Sequence, residues 1–349
     1  MCKFDLVKKN TMQDIVRFGL VGTGRITSWV LRGARENERF VAAAICSRSM
    51  ERARSFAQSH GIPAAYDDLD AMLRDSQVDA VYIGTPNHTH HGIALKCLRA
   101  GKHVLCEKPL AANAEEAVEM VTEARRRGVI LMEAMISTLN PNFLKAASLL
   151  KGIGPIRRYS ATYCQYSSKY EALQRGEVAA SFDPLCAGGA IMDIGIYTIW
   201  PMVYLLGEPL GISGQHVLTR DLPGRGVTDL QGTIDFIYPG LNATVFYSKI
   251  ADSFLPTEIS GEGGSLMLDK IHICSRVTYI PHGAPASGRG KDSTGKDLTV
   301  AEAAERDDYY FEFKEFISCV LAGKESAVNS PDTSIAVLRI MDQVRKNYQ

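Results

Sequence analysis

The stretch IVRFGLVGTGRIT, residues 15–27, decides the fold of this chain. An apolar strand, Ile15–Val21, runs directly into a glycine-rich turn that opens a helix. Free backbone N–H groups at such a helix N-terminus can hold a phosphate, so the turn predicts a dinucleotide site. The residues predicted to contact the dinucleotide are Gly22, Thr23, Gly24, Arg25 and Ile26. Thr27 occupies the position of the pattern's third glycine, and an ordinary strand-to-helix turn is the alternative interpretation.

The alternation of apolar strand and amphipathic helix continues over the first 137 residues, which indicates βα units on a parallel sheet. Each strand is a nearly continuous apolar run, as a sheet covered on both faces requires. The predicted strands are Ile15–Val21, Phe40–Cys46, Ala80–Ile83, His103–Cys106 and Ile130–Ala134. The predicted helices are Glu51–His60, Ile93–Ala100 and Ala114–Arg127, and a glycine suited to a left-handed cap follows each.

Past Pro141 the pattern changes, because strands follow one another with few helices between them. The predicted strands are Ile156–Gln165, Gly211–Thr219, Gly232–Tyr238, Ala243–Ser248 and Thr257–Ser260. The predicted helices are Asn142–Leu150, Ala190–Leu206, Asp307–Leu321 and Thr333–Asn347. Pro239 and Gly240 suit the two centre positions of a tight turn, so this half predicts an antiparallel sheet. Pro281–Thr299, rich in Gly, Ser, Pro and Lys, is predicted to be a mobile surface loop.

Composition excludes several classes of protein. Of the residues, 46% are hydrophobic and 22% are charged, which is typical of a folded globular chain rather than a disordered one. Lys and Arg number 39 and Asp and Glu number 39, so no global basic field exists to attract nucleic acid or anionic lipid. A small molecule is the expected partner.

Three features bear on the compartment. The eight cysteines, Cys2 among them, form no Cys-x-x-Cys pair and are predicted to be buried thiols in the reducing cytoplasm. The first fourteen residues, MCKFDLVKKNTMQD, contain no apolar core of a signal peptide. Gly189–Leu206 is long enough to approach a membrane span, but Asp193 within it is costly in lipid and Pro201 interrupts it.

The second predicted strand ends in Cys46-Ser47-Arg48, where an NAD site usually carries an acidic residue. A serine leaves room for a 2′-phosphate, and a guanidinium can bind that phosphate in a bidentate manner. Ser47 and Arg48 therefore predict NADP rather than NAD as the cofactor. The alternative is that Arg48 is a solvated surface residue.

The next strand ends in the polar loop Thr85-Pro86-Asn87-His88-Thr89-His90-His91, at the sheet edge where open α/β sheets bind ligands. Three histidines invite the interpretation of a zinc site, but no acidic partner is close in sequence. Contact with the nicotinamide half of the cofactor is the favoured interpretation. The residues predicted to make it are Thr85, Pro86, Asn87 and His90.

Two further motifs carry chemistry. Glu107-Lys108-Pro109 follows another strand at the same sheet edge, where the ammonium of Lys108 can face a crevice. In the second half, Gly188-Gly189 opens an apolar helix in which Asp193 and Tyr197, four residues apart, share one face. A carboxylate buried in such a helix needs a partner or a function.

Together these motifs resemble those of the Gfo/Idh/MocA family of oxidoreductases. The matching residues are Gly22-x-Gly24, Thr85-Pro86-Asn87 with His90, Glu107-Lys108-Pro109, and Gly188-Gly189 leading to Asp193-x-Gly195-x-Tyr197. The likeness spans nearly the whole chain. It implies an α/β protein: an N-terminal Rossmann domain, residues 1–137, then an α+β domain, residues 138–349, on an open, mostly antiparallel sheet. The tyrosine at position 197 is similar to the branch with dimeric dihydrodiol dehydrogenase, NADP-dependent D-xylose dehydrogenase and glucose–fructose oxidoreductase.

The resemblance implies hydride transfer between NADP and a CH–OH or carbonyl carbon of a sugar, polyol or related cyclic alcohol. It makes Lys108 the catalytic lysine and Tyr197 the proton donor or acceptor, with Asp193 in the same site. Glu107 and Lys108 are also expected at the cofactor, and no metal is required. A nearby ammonium is expected to lower the pKa of Tyr197 toward working pH.

Several alternatives remain open at this stage. The family also contains a nucleotide-binding regulator without catalysis, and some members hold the cofactor tightly. The segment 133–141 lacks the arginine that related enzymes often carry, so the substrate is not determined. Tyr163–Tyr170 is either a wall of the substrate pocket or an exposed sheet edge. A solvent-facing sheet carrying Phe236, Tyr238 and Phe246 predicts a homodimer or a dimer of dimers.

Overall fold

A six-stranded parallel sheet organises the first half of the chain in the computed structural model, which describes residues 14–282 and 295–348. Its strands are β1 (Val16–Val21), β2 (Phe40–Cys46), β3 (Ala64–Tyr66), β4 (Ala80–Ile83), β5 (His103–Glu107) and β6 (Leu131–Ala134). They lie in the order β3-β2-β1-β4-β5-β6, which is the Rossmann order and confirms the predicted fold class. The short edge strand β3 was not predicted, because three half-buried residues make no apolar run.

Helices connect these strands. They are α1 (Arg25–Ala34), α2 (Met50–His60), α3 (Leu69–Leu73), α4 (His90–Arg99) and α5 (Ala114–Arg127). The predicted left-handed caps are present, since Gly61 has φ 60° and Gly128 has φ 66°. Helix α4 begins three residues earlier than expected, because a 3₁₀ turn at Asn87–Thr89 runs straight into it.

The second sheet has eight strands in the order β14-β13-β12-β11-β7-β10-β9-β8. The strands are β7 (Ile156–Cys164), β8 (Gly211–Leu218), β9 (Asp229–Tyr238), β10 (Leu241–Ser248), β11 (Thr257–Gly261), β12 (Gly264–Leu268), β13 (Val277–Pro281) and β14 (Lys296–Asp297). All neighbours are antiparallel except β7 and β10, which are parallel. The expected mostly antiparallel sheet is therefore confirmed, and the turn Tyr238–Leu241 joins β9 to β10 as predicted.

The predicted loop Pro281–Thr299 is wrong at both ends, because Pro281 completes β13 and Lys296–Asp297 pairs with it as β14. The part of that loop at 283–294 lies outside the described residues, as do Cys2 and all but the last residue of the N-terminal segment MCKFDLVKKNTMQD. Strands β12 and β13 were also not predicted.

The remaining helices are α6 (Ile136–Leu139), α7 (Pro141–Leu149), α8 (Tyr170–Gln174), α9 (Ile196–Leu206), α10 (Glu302–Glu305), α11 (Asp308–Ala322) and α12 (Pro331–Arg345). The predicted helix Ala190–Leu206 begins as a π-helical turn, Ile191–Gly195, before α9. The segment Pro184–Leu206 is long and apolar enough to cross a membrane, but most of it is buried inside the protein. This segment therefore packs in the core of the protein.

Helix α11, late in the chain, packs against α1 beside the first sheet. Its Phe313 and Phe316 lie 5.2 and 5.7 Å, between ring centroids, from Phe18 of β1. This packing brings the start of α11 to the cavity described below. The division of the chain near residue 137 stays a prediction.

The aromatic residues proposed for a dimer face divide between the two faces of the sheet. Side chains alternate along a strand, so Phe236 of β9 points into the core, where it is buried. The expectation that Phe236 faces solvent is therefore wrong, and half-buried Tyr238 shares its side. Ile237 and Phe246 are exposed on the opposite face.

Candidate active site

A cavity of about 450 Å³ lies between the carboxyl edge of the first sheet and the second sheet. It brings together residues that are far apart in sequence. The predicted site residues on its walls are Ile26, Thr85, Asn87, Glu107, Lys108, Asp193 and Tyr197. Those that sequence reasoning missed include Trp29, His272, Tyr309 and Glu312.

The glycine-rich turn is shaped to receive a phosphate. Gly22 has φ +105°, and a Cβ there would lie 2.5 Å from the carbonyl oxygen of Gly84, so only glycine is accommodated. Gly24 is the N-cap of α1 and supplies no side-chain cap, which leaves the helix's first N–H groups available. Nothing lies within 4 Å of where a Cβ of Gly24 would stand. The turn therefore fits the diphosphate of a dinucleotide, while contacts from Thr23 and Arg25 stay predictions.

Ser47 and Arg48, the residues predicted to bind a 2′-phosphate, lie just after the end of β2. Ser47 is half-buried, and its backbone N–H donates to the carbonyl of Tyr66 at 3.0 Å. Arg48 is exposed, and its guanidinium has no hydrogen-bond or ion-pair partner among the described residues. Ser49 caps the following helix by accepting a hydrogen bond from the backbone N–H of Arg52. Arg48 is therefore free to bind an anion.

In the loop after β4, some residues line the cavity and others hold the loop in place. Asn87 lines the cavity, and its Nδ2 donates to the carbonyl of Ala187 at 2.9 Å, which joins the two halves of the chain. Asn87 and Pro86 also border a second cavity of about 190 Å³. No group of three or more metal-ligating side chains occurs in residues 14–282 and 295–348.

His90 does not lie on the cavity wall. It is fully buried, and its ring nitrogens lie 2.8 Å from the carbonyl oxygen of Thr85 and 2.9 Å from that of Pro109. Burial lowers its pKa. Because both nitrogens face backbone, His90 is better described as a positioning residue that ties the Thr85 loop to the segment after Lys108. The predicted direct contact with nicotinamide is not supported.

Lys108 is held by the helix that carries the second motif. Its Nζ lies 2.6 Å from the backbone oxygen of Asp193 and 3.2 Å from Oδ1 of the same residue. The other carboxylate oxygen, Oδ2, lies 2.6 Å from Nζ of Lys249. Lys249 also donates to the carbonyl of Ser181 at 2.9 Å, and its side chain is only 3% exposed. The carboxylate of Asp193, whose side chain is 37% exposed, thus has two ammonium partners.

These two lysines control the charge of Asp193. Burial raises the pKa of its carboxyl, but Lys108 and Lys249 more than offset this effect and lower the pKa to about 2. Asp193 is therefore ionised at neutral pH, and the three side chains carry a net charge of about +1. Sequence reasoning missed Lys249 because a single lysine after strand β10 belongs to no motif.

Tyr197 lies next to Lys108, with Nζ 5.0 Å from the centroid of the phenol ring. Within the described part of the chain, no protein group hydrogen-bonds to its hydroxyl. The expected lowering of its pKa is wrong: burial, and then Glu107, Tyr163 and Asp193, raise the pKa well above 10. Lys108 is engaged by Asp193 and contacts the ring face rather than the oxygen. The phenol is therefore protonated at neutral pH.

The stretch Tyr163–Tyr170 contributes both to the cavity and to the surface. Tyr163 and Gln165 line the cavity, whereas Tyr166 is exposed. The ring of Tyr163 stacks on His272, with centroids 3.8 Å apart and planes 5° apart. Burial lowers the pKa of His272 to about 4, so this wall presents a neutral imidazole beside an amide. Polar, uncharged groups of this kind suit a substrate with hydroxyl groups.

The paired glycines before Asp193 permit a close approach of β9. Gly189 has φ +126°, and a Cβ there would overlap side-chain oxygens of Thr228 and Asp229. Asp229 accepts a hydrogen bond from the backbone N–H of Ile191 at 2.7 Å, at the start of the π-helical turn. This contact orients the turn that carries Asp193.

Comparison with known proteins agrees with this arrangement. A family model described as "Oxidoreductase family, NAD-binding Rossmann fold" (GFO_IDH_MocA) matches residues 16–135, and one described as "GFO/IDH/MocA C-terminal domain" matches residues 143–267. The chain is 37% identical over 334 residues to scyllo-inositol 2-dehydrogenase (NADP(+)) IolU of Bacillus subtilis, covering 95% of this chain and 97% of that protein. It is 31% identical to trans-1,2-dihydrobenzene-1,2-diol dehydrogenase of Sus scrofa, covering 95% and 96%.

Solved structures share the fold. Levoglucosan dehydrogenase in complex with NADH and levoglucosan has a TM-score of 0.82 at 20% identity, covering 95% of this chain and 97% of that one. The 3-ketoreductase KijD10 from Actinomadura kijaniata in complex with NADP has a TM-score of 0.75 at 24% identity, with the same coverage. At these identities the likeness establishes the fold alone.

Proposed function

Because this chain belongs to the Gfo/Idh/MocA family of oxidoreductases, we propose that it is an NADP-dependent dehydrogenase or reductase that acts on a CH–OH or carbonyl carbon of a sugar, polyol or related cyclic alcohol. The observation that carries the proposal is one cavity that holds Lys108, Asp193 and Tyr197 and reaches the uncapped start of α1. The two relatives named above, a dehydrogenase of inositol and a dehydrogenase of a cyclic diol, support the substrate class.

The chemistry divides between the cofactor and the chain. When bound, the nicotinamide supplies or accepts a hydride at the substrate carbon. Tyr197, with its hydroxyl protonated, gives a proton to the substrate oxygen during reduction and takes it back during oxidation. Lys108 stabilises negative charge on that oxygen, and Lys249 balances the carboxylate of Asp193 so that the charge of Lys108 is not cancelled.

A substrate screen tests this function. The purified protein is mixed with NADP⁺ or NADPH and a panel of sugars, polyols and dicarbonyl compounds, and NADPH fluorescence is followed. We expect turnover with at least one cyclic polyol or sugar. Firm NADPH binding without turnover on any member of the panel would instead favour a catalytically silent regulator.

The preference for NADP is expected to depend on Arg48, which stands unpaired beside Ser47. In Arg48→Ala the loss of a charge-assisted contact should raise the Kd for NADPH about ten- to a hundredfold and leave the Kd for NADH within about twofold. Fluorescence titration with both cofactors measures this. Arg54→Ala, on the exposed side of α2, is the matched control. Equal losses for both cofactors, or tighter binding of NADH by the unaltered protein, would contradict the assignment.

We also propose that the chain forms a homodimer, or a dimer of dimers, through the outer face of the second sheet. Ile237 and Phe246 are exposed there on adjacent strands, and such an interface would bury both side chains. Light scattering at micromolar concentration is expected to find a dimer, and Ile237→Glu with Phe246→Glu should shift it to a monomer. A monomeric wild type, or a double variant that remains dimeric, would disprove this interface.

A cytoplasmic location completes the proposal. The seven cysteines in the described part of the chain are free, and five of them are buried. Thiols of this kind persist in a reducing compartment, which supports a cytoplasmic location.

A further inference from the structure

Glu312 of α11 is a buried carboxyl group without a function in the mechanism above. It lines the main cavity and is 1% exposed, yet its Oε1 has no hydrogen-bond partner among the described residues. Nearby Glu133 is equally buried, but it accepts hydrogen bonds from Leu110, Trp200 and Ser334. An unsatisfied buried carboxyl group costs free energy. We therefore expect Glu312 to interact with a proton or a ligand in the cavity.

A second carboxyl group lines the same cavity. It belongs to Glu107, whose Oε1 accepts from the hydroxyl of Tyr82 at 2.8 Å and whose Oε2 lies 3.3 Å from the backbone nitrogen of Lys108. The two carboxyl groups repel as anions, and burial together with this repulsion raises the pKa of Glu312. The other titratable groups around the pair are Lys108, Glu133, Tyr82, Tyr197 and Tyr309.

We propose that Glu312 and Glu107 form a carboxyl pair that shares a proton in the free protein and releases it when the oxidised cofactor binds. The nicotinamide ring is cationic when oxidised and neutral when reduced. A cation in this cavity stabilises two neighbouring carboxylates, whereas a neutral ring leaves one of them protonated. The singly protonated pair, with a charge of −1, thus combines with NADP⁺ to give the doubly ionised pair, with a charge of −2, bound to NADP⁺, and one H⁺ is released.

The ammonium of Lys108 favours ionisation of Glu107, but it does not offset the burial that raises the pKa of both carboxyl groups. This ammonium is engaged by Asp193, and that carboxylate is shared with Lys249. The phenols of Tyr82, Tyr197 and Tyr309 have raised pKa values and carry no charge at neutral pH. The carboxyl pair is therefore a group in the described cavity wall whose protonation should respond to a new cation.

The inference rests on the proposed NADP site, and a binding experiment separates the two. Isothermal titration calorimetry in two buffers of different ionisation enthalpy measures the protons released when NADP⁺ or NADPH binds. Above about pH 7 the 2′-phosphate is fully ionised in both cofactors, so its contribution cancels in the comparison. Failure of both cofactors to bind would contradict the proposed function itself, not merely the proton release.

We expect NADP⁺ binding to release a substantial fraction of a proton and NADPH binding to release almost none. The Kd for NADP⁺ should then fall as pH rises toward the raised pKa of the pair, by at most about tenfold per pH unit, while that for NADPH stays level. In Glu312→Gln the difference should shrink markedly, because the repulsion between the two carboxylates that helps to retain the proton is removed. The exposed Glu302→Gln, also a charge-to-amide change near the same end of the chain, should behave like the wild type.

Two results would overturn the inference. The first is equal proton release for NADP⁺ and NADPH in the wild-type protein, which needs no variant. The second is a difference that persists at full size in Glu312→Gln, which would assign the proton to another group. If Glu312→Gln does not fold, the wild-type comparison still decides.

Discussion

Tyr197→Phe is expected to lower turnover by about a hundredfold or more while the Kd for NADPH stays within about twofold. The phenol is the protonated group that lies beside Lys108 in the cavity, and its hydroxyl is not engaged by another described residue. Removing one oxygen deletes the proton donor without altering the shape of the ring. Steady-state kinetics and fluorescence titration measure the two effects, with Tyr166→Phe, outside the cavity, as control.

Lys108→Met should cause a loss of similar size, because it removes the charge that stabilises the substrate oxygen. The double variant should lose much less than the product of the two single losses, since the two side chains act on the same oxygen. Fully multiplicative losses would show that they act independently. Full activity in Tyr197→Phe would move proton transfer to another group.

The raised pKa of Tyr197 also predicts how the rate of reduction depends on pH. A group whose folded pKa lies well above 10 holds its proton throughout the neutral and mildly alkaline range. We therefore expect that loss of the Tyr197 proton causes no decline in the rate of carbonyl reduction below about pH 9. An alkaline limb that appears near neutral pH and is absent in Tyr197→Phe would show that the bound cofactor lowers the pKa.

Lys249→Met is expected to lower the free energy of unfolding by about 1–3 kcal/mol, because it removes one charge-assisted hydrogen bond while Asp193, whose side chain is 37% exposed, keeps Lys108 as a partner. Lys249 is 3% exposed, and its Nζ lies 2.6 Å from Asp193. Activity should also fall, because Asp193 would then neutralise Lys108. Urea unfolding followed by circular dichroism measures the stability, and exposed Lys314→Met, which loses a surface pair with Glu302, is the control.

The pH dependence of stability provides a second readout for this ion pair. The pKa of Asp193 is lowered from 3.8 to about 2 in the folded protein. Its contribution is therefore present above about pH 4 and is lost as pH falls toward 2. The part of the free energy of unfolding that is lost in acid should therefore be smaller in Lys249→Met than in the wild type. Unchanged unfolding in Lys249→Met would show that the ion pair does not stabilise the fold.

Much of the site was predictable because parallel strands end at one edge of a sheet. The turn at Gly22, the loop at Thr85 and the motif at Lys108 each follow such a strand, so they had to be neighbours. Their local sequence patterns also indicated dinucleotide binding and a catalytic lysine. Asp193 and Tyr197 were found because two polar side chains four residues apart stand out in an apolar helix.

Lys249, His272 and Glu312 could not be found in this way. Each is a single residue with no local pattern, and each reaches the cavity or its support only through tertiary packing. Glu312 depends on the return of α11 to the first sheet, which no short-range signal reveals. The inward position of Phe236 likewise depends on strand register, which one residue's shift reverses.

The most direct test of the central claim is a single-turnover comparison of wild type and Tyr197→Phe, each loaded with NADPH and mixed with the carbonyl form of the best substrate from the panel. Decay of NADPH fluorescence reports hydride transfer. The proposed mechanism predicts rapid decay in the wild type and decay at least about a hundredfold slower in Tyr197→Phe, with equal starting fluorescence. Equal rates in the two proteins would contradict the role of Tyr197, and stable fluorescence in both would contradict the proposed reaction.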